Sequence, residues 1–390
     1  MKEIADILQA WRQCIADSRP AALATVVAVE GSSYRRPGAR MLILGDSSTK
    51  GSISGGCIER DAIYRAGAFV AGSNDGTIAE AIVVRYDSVS EEEAGPGASL
   101  GCGGTIDVLM ERVALPAGAL RQDVLALLDP FFIRRQSGII ATVIAQRNSE
   151  FRIGSHFVFG EDGSPASEDC PDYLSSEARA ALESDQSRQF RQEFPGGWID
   201  FFLEIIHPPP QLFIFGAGND AMPLATFAKS IGWRVVVVDL RSSTAAAGRV
   251  FDADAVVRQP AGELSKLEIP ANSAAIVMNH NWNHDLASLR HLTNLPLSYL
   301  GVLGPRRRTE RLLSHLLERT AAARHFSYPI GLDIGAESPQ EVALSIIAEI
   351  IAVSRNSSGG RLSDKPGPIH NGTVAVSNTI TENSCPVAAS

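Results

Sequence analysis

Two cysteines set among glycines are the residues of this 390-residue chain whose surroundings best suit chemistry. Cys57 follows Gly51-Ser52-Ile53-Ser54-Gly55-Gly56, a run whose pattern leads a strand into a helix. Consecutive small residues let several backbone N–H groups point at one anion. A helix N-terminus favours a negative group by about 0.3–1 kcal/mol. A thiol there, beside Arg35 or Arg36, ionises more readily than a free one, and a thiolate suits a soft metal or sulfur transfer. Cys102 sits in Gly101-Cys102-Gly103-Gly104, just before a predicted strand. The separation of the two is too long to define a metal clip by itself. The alternative for each is a small buried hydrophobe.

Upstream of Cys57, the segment from Gly31 to Arg40 places Arg35, Arg36 and Arg40 among turn residues. Arg offers anions a fixed fork of donors where Lys offers a point charge. Only Lys2, Lys50, Lys229, Lys266 and Lys365 are lysines, so thirty of the 35 basic residues are Arg. The plainer reading of that excess is a compositional bias, so each arginine must argue from its own place.

A second glycine loop, Gly216-Ala217-Gly218-Asn219-Asp220-Ala221, follows a predicted strand and opens a predicted helix. Gly216 and Gly218 allow a tight turn and close approach to a pyrophosphate, with Ala221 in the third glycine's place. Asp239, at the end of the next strand, suits a ribose 2′-hydroxyl, although Arg241 blurs that preference. The alternative is a glycine turn kept for strand–helix packing. His280, His284 and Asp285 follow another strand and read as a polar wall of the same crevice rather than as a metal site. Pro305-Arg306-Arg307-Arg308 opens a further helix, facing either an anion or solvent.

The elements that must position these residues fall into two groups. Up to residue 207 the pattern is α+β. An amphipathic first helix precedes strands at 22–29 and 41–44, a helix from about Cys57 to Val70, and strands at 79–86, 105–110, 139–145 and 198–206. Residues 160–172 read as a surface loop. Pro208-Pro209-Pro210 cannot sit inside a helix or a central strand, so the boundary is placed there. From 208 to 355 strands and helices alternate, which means a parallel sheet covered on both faces. Strands are predicted at 212–215, 234–239, 274–278 and 298–303, with helices at 220–231, 283–292 and 306–319. The last helix has Ser338 as cap, Pro339 in its first turn and Glu341 to close a capping box. The composition of 356–390 predicts a disordered tail.

The net charge of −9 lacks the basic footprint of a nucleic-acid binder. No stretch approaches 18 apolar residues, so no membrane span is expected. The N-terminus does not read as a signal peptide, and five unpaired-looking cysteines fit a reducing cytosol.

The segments GSSYRRPGARMLI (31–43), GSISGGCIE (51–59), LGCGGTIDVL (100–109), PPPQLFIFGAGN (208–219), VVVVDLR (235–241), YLGVLGPRRR (299–308) and PIGLDIGAESPQEVALSIIAEIIA (329–352) resemble the XdhC/CoxI family of xanthine dehydrogenase accessory proteins. The resemblance implies an α/β protein with an N-terminal α+β cofactor-handling domain and a C-terminal Rossmann-like domain. It also implies a cytoplasmic, oligomeric accessory factor rather than an enzyme. Such a protein binds molybdenum cofactor, protects it and delivers its sulfurated form to a xanthine-dehydrogenase-like enzyme, in contact with a cysteine desulfurase. By the same resemblance Cys57 and Cys102 are candidates for contacting molybdenum or its sulfur. Arg35, Arg36, Gly55 and Gly56 are candidates for the pterin phosphate. The chain departs from the family pattern at Asn219-Asp220 and at Asn279-His280-Asn281. A second reading is an NAD-dependent oxidoreductase working through Gly216, Gly218, Ala221 and Asp239. A third is a module in which nucleotide binding in the second domain changes cofactor release from the first.

Overall fold

The computed structural model describes residues 2–31, 33–56, 58–71, 81–87, 104–114, 123–241, 251–316, 323–366 and 376–379. The chain forms two compact units, Glu3–Pro208 together with the strand Val376–Thr379, and Pro209–Pro366.

In the first unit α1 (Lys2–Ala16) buries Ile7, Leu8, Trp11 and Cys14, one stripe at helical spacing. Then follow β1 (Ala21–Glu30), β2 (Arg40–Leu44), β3 (Thr49–Gly51), α2 (Glu59–Ala71), β4 (Ala81–Asp87) and β5 (Thr105–Val113). They build an antiparallel sheet in the order β3-β2-β1-β5-β4. After α3 (Val124–Arg134) come β6 (Gly138–Arg147), β7 (His156–Phe159), α4 (Asp172–Ser184), β8 (Arg188–Phe194) and β9 (Gly197–Ile206). These strands form a second antiparallel sheet, β8-β9-β6-β7, to which Val376–Thr379 adds parallel to β8.

Strand periodicity explains the layering. Ala22, Ala24, Val26, Met41, Ile43, Val108 and Met110 pack with Ile58, Ala62 and Phe69 around α2. Ile139, Ala141, Val143, Phe201 and Leu203 pack with Leu174 and Ala178 of α4. The opposite faces meet each other through Val27, Leu109, Ile144 and Phe202. The first unit is therefore a two-sheet sandwich with one helix on each outer face.

The second unit runs β10 (Gln211–Phe215), α5 (Ala221–Ser230), β11 (Arg234–Asp239), β12 (Ala255–Arg258), a 3-10 turn (Ala261–Lys266), β13 (Ala274–Val277), α6 (Trp282–Leu292), β14 (Tyr299–Val302), α7 (Arg306–Leu313), β15 (Phe326–Ser327) and α8 (Pro339–Ser354). All six strands are parallel, in the order β12-β11-β10-β13-β14-β15. This is the doubly wound order in which the chain reverses direction between the first and fourth strands. α5 and α8 cover one face, while α6 and α7 cover the other. Ser338 and Glu341 form the expected capping box with Pro339 in the first turn.

Several elements were not legible from the pattern. α3 carries Pro130 inside it, a residue that reads as a break. β8 is largely polar, with only alternate positions buried. Beyond Asn356, where composition suggested no regular structure, there are a 3-10 turn at Leu362–Asp364 and the paired strand Val376–Thr379.

Candidate functional site

Sheet register brings the ends of three connecting segments to one end of the first sheet. Thr25 stands opposite Arg40, Gly51 opposite Met41, and Thr105 opposite both Glu30 and Asp87. The segment 31–39, the turn after Gly51 and the segment that reaches Gly104 therefore all join the sheet there. Gly51 is required by geometry: its φ is +81° and a Cβ would collide with the Arg40 carbonyl oxygen.

Tyr34 brings the arginine loop onto the glycine turn. A methyl group on Gly55 would lie 3.9 Å from Tyr34 Cγ, and the tyrosine remains 66% exposed. Gly55, Gly56 and Arg36 are also exposed. Gly56 has φ +112°, and among the described residues nothing lies within 4 Å of where its side chain would stand. Arg35 is ion-paired with Glu3 of α1. Cys57 and Cys102 lie outside the described residues.

The turn holds its shape through a hub that the sequence did not disclose. Glu59, first residue of α2, accepts the Ser54 N–H at 2.8 Å and the Ser54 hydroxyl. Gly56 N–H in turn donates to Ser54 Oγ at 3.0 Å. Burial opposes ionisation of Glu59, but the Ser54 hydrogen bonds outweigh it and hold the carboxyl below its ordinary range. Two of the backbone donors expected to face an outside anion thus serve the chain's own serine and carboxylate. A spacing of five residues between a turn serine and a first-turn glutamate is the signal that pointed there.

Behind the loops, charged groups are buried between the two sheets. Arg40, at the start of β2, forks onto both carboxylate oxygens of Glu204 in β9 and donates to the Gly38 carbonyl at 3.0 Å. A Cβ on Gly38 would come within 2.8 Å of Glu204 Oε1. His156 contacts Glu111 at 2.9 Å and Thr142 at 3.0 Å. Burial works against the Arg40 charge, yet Glu204 outweighs it and raises its pKa. Arg40, Glu111 and Glu204 fall in the buried phase of alternating strands, which is the pattern that could have revealed them.

In the second unit the crevice opens at the carboxyl ends of β10, β11 and β13. Gly216 has φ +134°, and a Cβ there would collide with the Met278 carbonyl oxygen. Ala221 is fully buried at the start of α5. Asp239 is buried and held by Arg241: its Oδ1 accepts Nε at 2.7 Å and the backbone N–H at 3.1 Å, and its Oδ2 accepts Nη2 at 3.1 Å. Burial raises the Asp239 pKa, but the Arg241 hydrogen bonds and charge bring it below the ordinary range. Arg241 also donates to the Ala217 carbonyl at 2.9 Å, spanning the crevice. Asp220 is paired with His280. Asp285 is buried against Arg308 at 2.6 Å and accepts the Asn279 backbone N–H. Among the described residues no three His, Cys, Asp or Glu side chains gather as a metal set, and no helix is long and apolar enough to cross a membrane.

The profile of the XdhC and CoxI family matches residues 14–87, and the XdhC Rossmann domain profile matches residues 212–350. A Bacillus subtilis protein, named as a probable subunit of xanthine dehydrogenase, is 33% identical over 337 residues, 86% of this chain and 93% of that one. An Escherichia coli protein named molybdenum cofactor insertion chaperone PaoD is 24% identical over 356 residues, 89% of this chain and 87% of that one. A crystal structure from Bacillus halodurans, described as a xanthine dehydrogenase, is similar with a TM-score of 0.69 and 27% identity over 94% of this chain and 98% of that one.

Proposed function

Because the chain belongs to the XdhC and CoxI family, we propose that it binds molybdenum cofactor and serves its insertion into a xanthine-dehydrogenase-like enzyme. The observation that carries this reading is the likeness, along nearly nine-tenths of the chain, to a protein named for molybdenum cofactor insertion. The loop end of the first sheet suits such cargo. Arg36, Gly55 and Gly56 are exposed, and no described atom lies within 4 Å of where a Gly56 side chain would stand.

In this reading Arg36 meets the pterin phosphate, because a guanidinium binds phosphate through paired donors. Arg35 contributes to the same field from its pairing with Glu3. The glycines allow close approach of a flat ligand, and Cys57 and Cys102 supply sulfur ligands to molybdenum or its terminal sulfur. The protein then acts in the cytoplasm as an accessory factor, as a homo-oligomer, receiving sulfurated cofactor in contact with a cysteine desulfurase.

Co-purification from a host that makes the cofactor tests this. The protein should carry molybdenum and an oxidisable fluorescent pterin in near-equal amounts, and Cys57→Ala should lower both. A Cys57→Ala/Cys102→Ala variant that retains full loading would remove the cysteines from the proposal. Protein free of pterin from a replete host would overturn the function itself.

A further inference from the structure

The second unit has the strand order and glycine loop of a dinucleotide site, yet both anchor points are occupied from within. In such sheets the pyrophosphate lies over the second glycine at the helix N-terminus, and an acid at the end of the second strand takes the ribose. Here the second glycine is Gly218. A Cβ on it would stand 2.5 Å from Asp220 Oδ1 and 3.6 Å from Asp220 Cγ. The carboxylate of this chain thus occupies the space that the missing side chain leaves for phosphate. Its other oxygen is held by His280 from the loop after β13. His280 itself has φ +55°, a left-handed backbone that is uncommon outside glycine and that aims the ring back across the crevice. The ribose acid is engaged as well, since Arg241 chelates Asp239 and ties it to the Ala217 carbonyl.

We infer that Asp220, latched by His280, fills the phosphate seat of the Rossmann crevice and makes it reject dinucleotides and other pyrophosphate-bearing ligands. The reason is both steric and electrostatic. A phosphate entering the loop meets the carboxylate where backbone N–H groups would otherwise receive it, and like charges at contact distance repel. The Asp220 side chain makes no capping hydrogen bond to α5, so the helix does not need it. It reaches instead to His280, a side chain across the crevice. The inference concerns the second unit alone and stands apart from the fate of the first unit's cofactor reading.

Calorimetric titration of NADH, NADPH and ADP into the full-length protein tests it, with Asp220→Ala and Asp220→Asn compared with wild type. Wild type should show no saturable binding, and Asp220→Ala should bind NADH and ADP at least about tenfold more tightly. A gain with Asp220→Asn as well assigns the exclusion to charge, and a gain with Asp220→Ala alone assigns it to volume. Both support the seat being filled. Tight binding of any of the three nucleotides by wild type, or no gain in either variant with an unchanged circular dichroism spectrum, overturns it.

Discussion

Arg40 and Glu204 are 164 residues apart in the chain and face each other as a forked ion pair between two sheets. Their side chains are 4% and 11% exposed. Removing one partner from a buried pair leaves the other charge without compensation, which costs about 3–5 kcal/mol. Glu204→Ala should lower the unfolding free energy of the first unit by that order in a urea titration. Replacing both residues with apolar ones of similar volume should recover much of the loss. A Glu204→Ala variant as stable as wild type would show that water or another group compensates Arg40.

The Asp239–Arg241 chelate sets an acid limit on the second unit. The folded Asp239 carboxyl sits below its unfolded value of 3.8. In the interval between the two values the unfolded chain holds more protons, so stability rises with pH there. The contribution is complete above the unfolded value and is lost as pH falls through the folded one. The thermal midpoint of wild type should therefore drop more steeply than that of Asp239→Asn between about pH 5 and pH 2. Parallel curves would remove Asp239 as a source of acid sensitivity.

Cysteine reactivity should separate the buried thiols from the two proposed to meet the cofactor. Burial pushes the Cys170 thiol up to about 11, helped by the nearby Asp172 charge, and burial also raises Cys14. At pH 8 only about one Cys170 in a thousand is then thiolate. Iodoacetamide mass spectrometry at that pH should label Cys57 well before Cys14 or Cys170. Cys170 labelling as fast as Cys57 would contradict this ordering.

Gly216 should tolerate no side chain. Its φ of +134° is strained for any L-residue, and a Cβ would meet the Met278 carbonyl. Gly216→Ala should destabilise the second unit by more than about 1 kcal/mol, measured by denaturant unfolding. A neutral substitution would mean that the loop after β10 shifts freely.

Much of the architecture was legible because both strand alternation and helix capping are local signals. The parallel second unit, its glycine loop and the Ser338 capping box followed from residue order alone. The two-sheet sandwich did not, because pairing partners such as β6 and β9 are set by long-range register rather than by any short motif. At the candidate site the residue types identified the loops but not their internal bonding. Glu59, Glu3 and Asp220 are ordinary surface acids in the sequence. Only the fold shows that each already holds a group that residue type alone would reserve for a ligand.

The two inner sheets of the first unit also bear on how the protein is made. Strands β1 to β5 come from one contiguous stretch of chain and β6 to β9 from the next, so a ribosome releases the first sheet before its mate exists. During that interval the face awaiting the second sheet is open to water and to neighbouring nascent chains. Arg40 and Glu111 stand on that face and find their partners Glu204 and His156 only in the second sheet, so the unmated first sheet presents charge as well as apolar surface there.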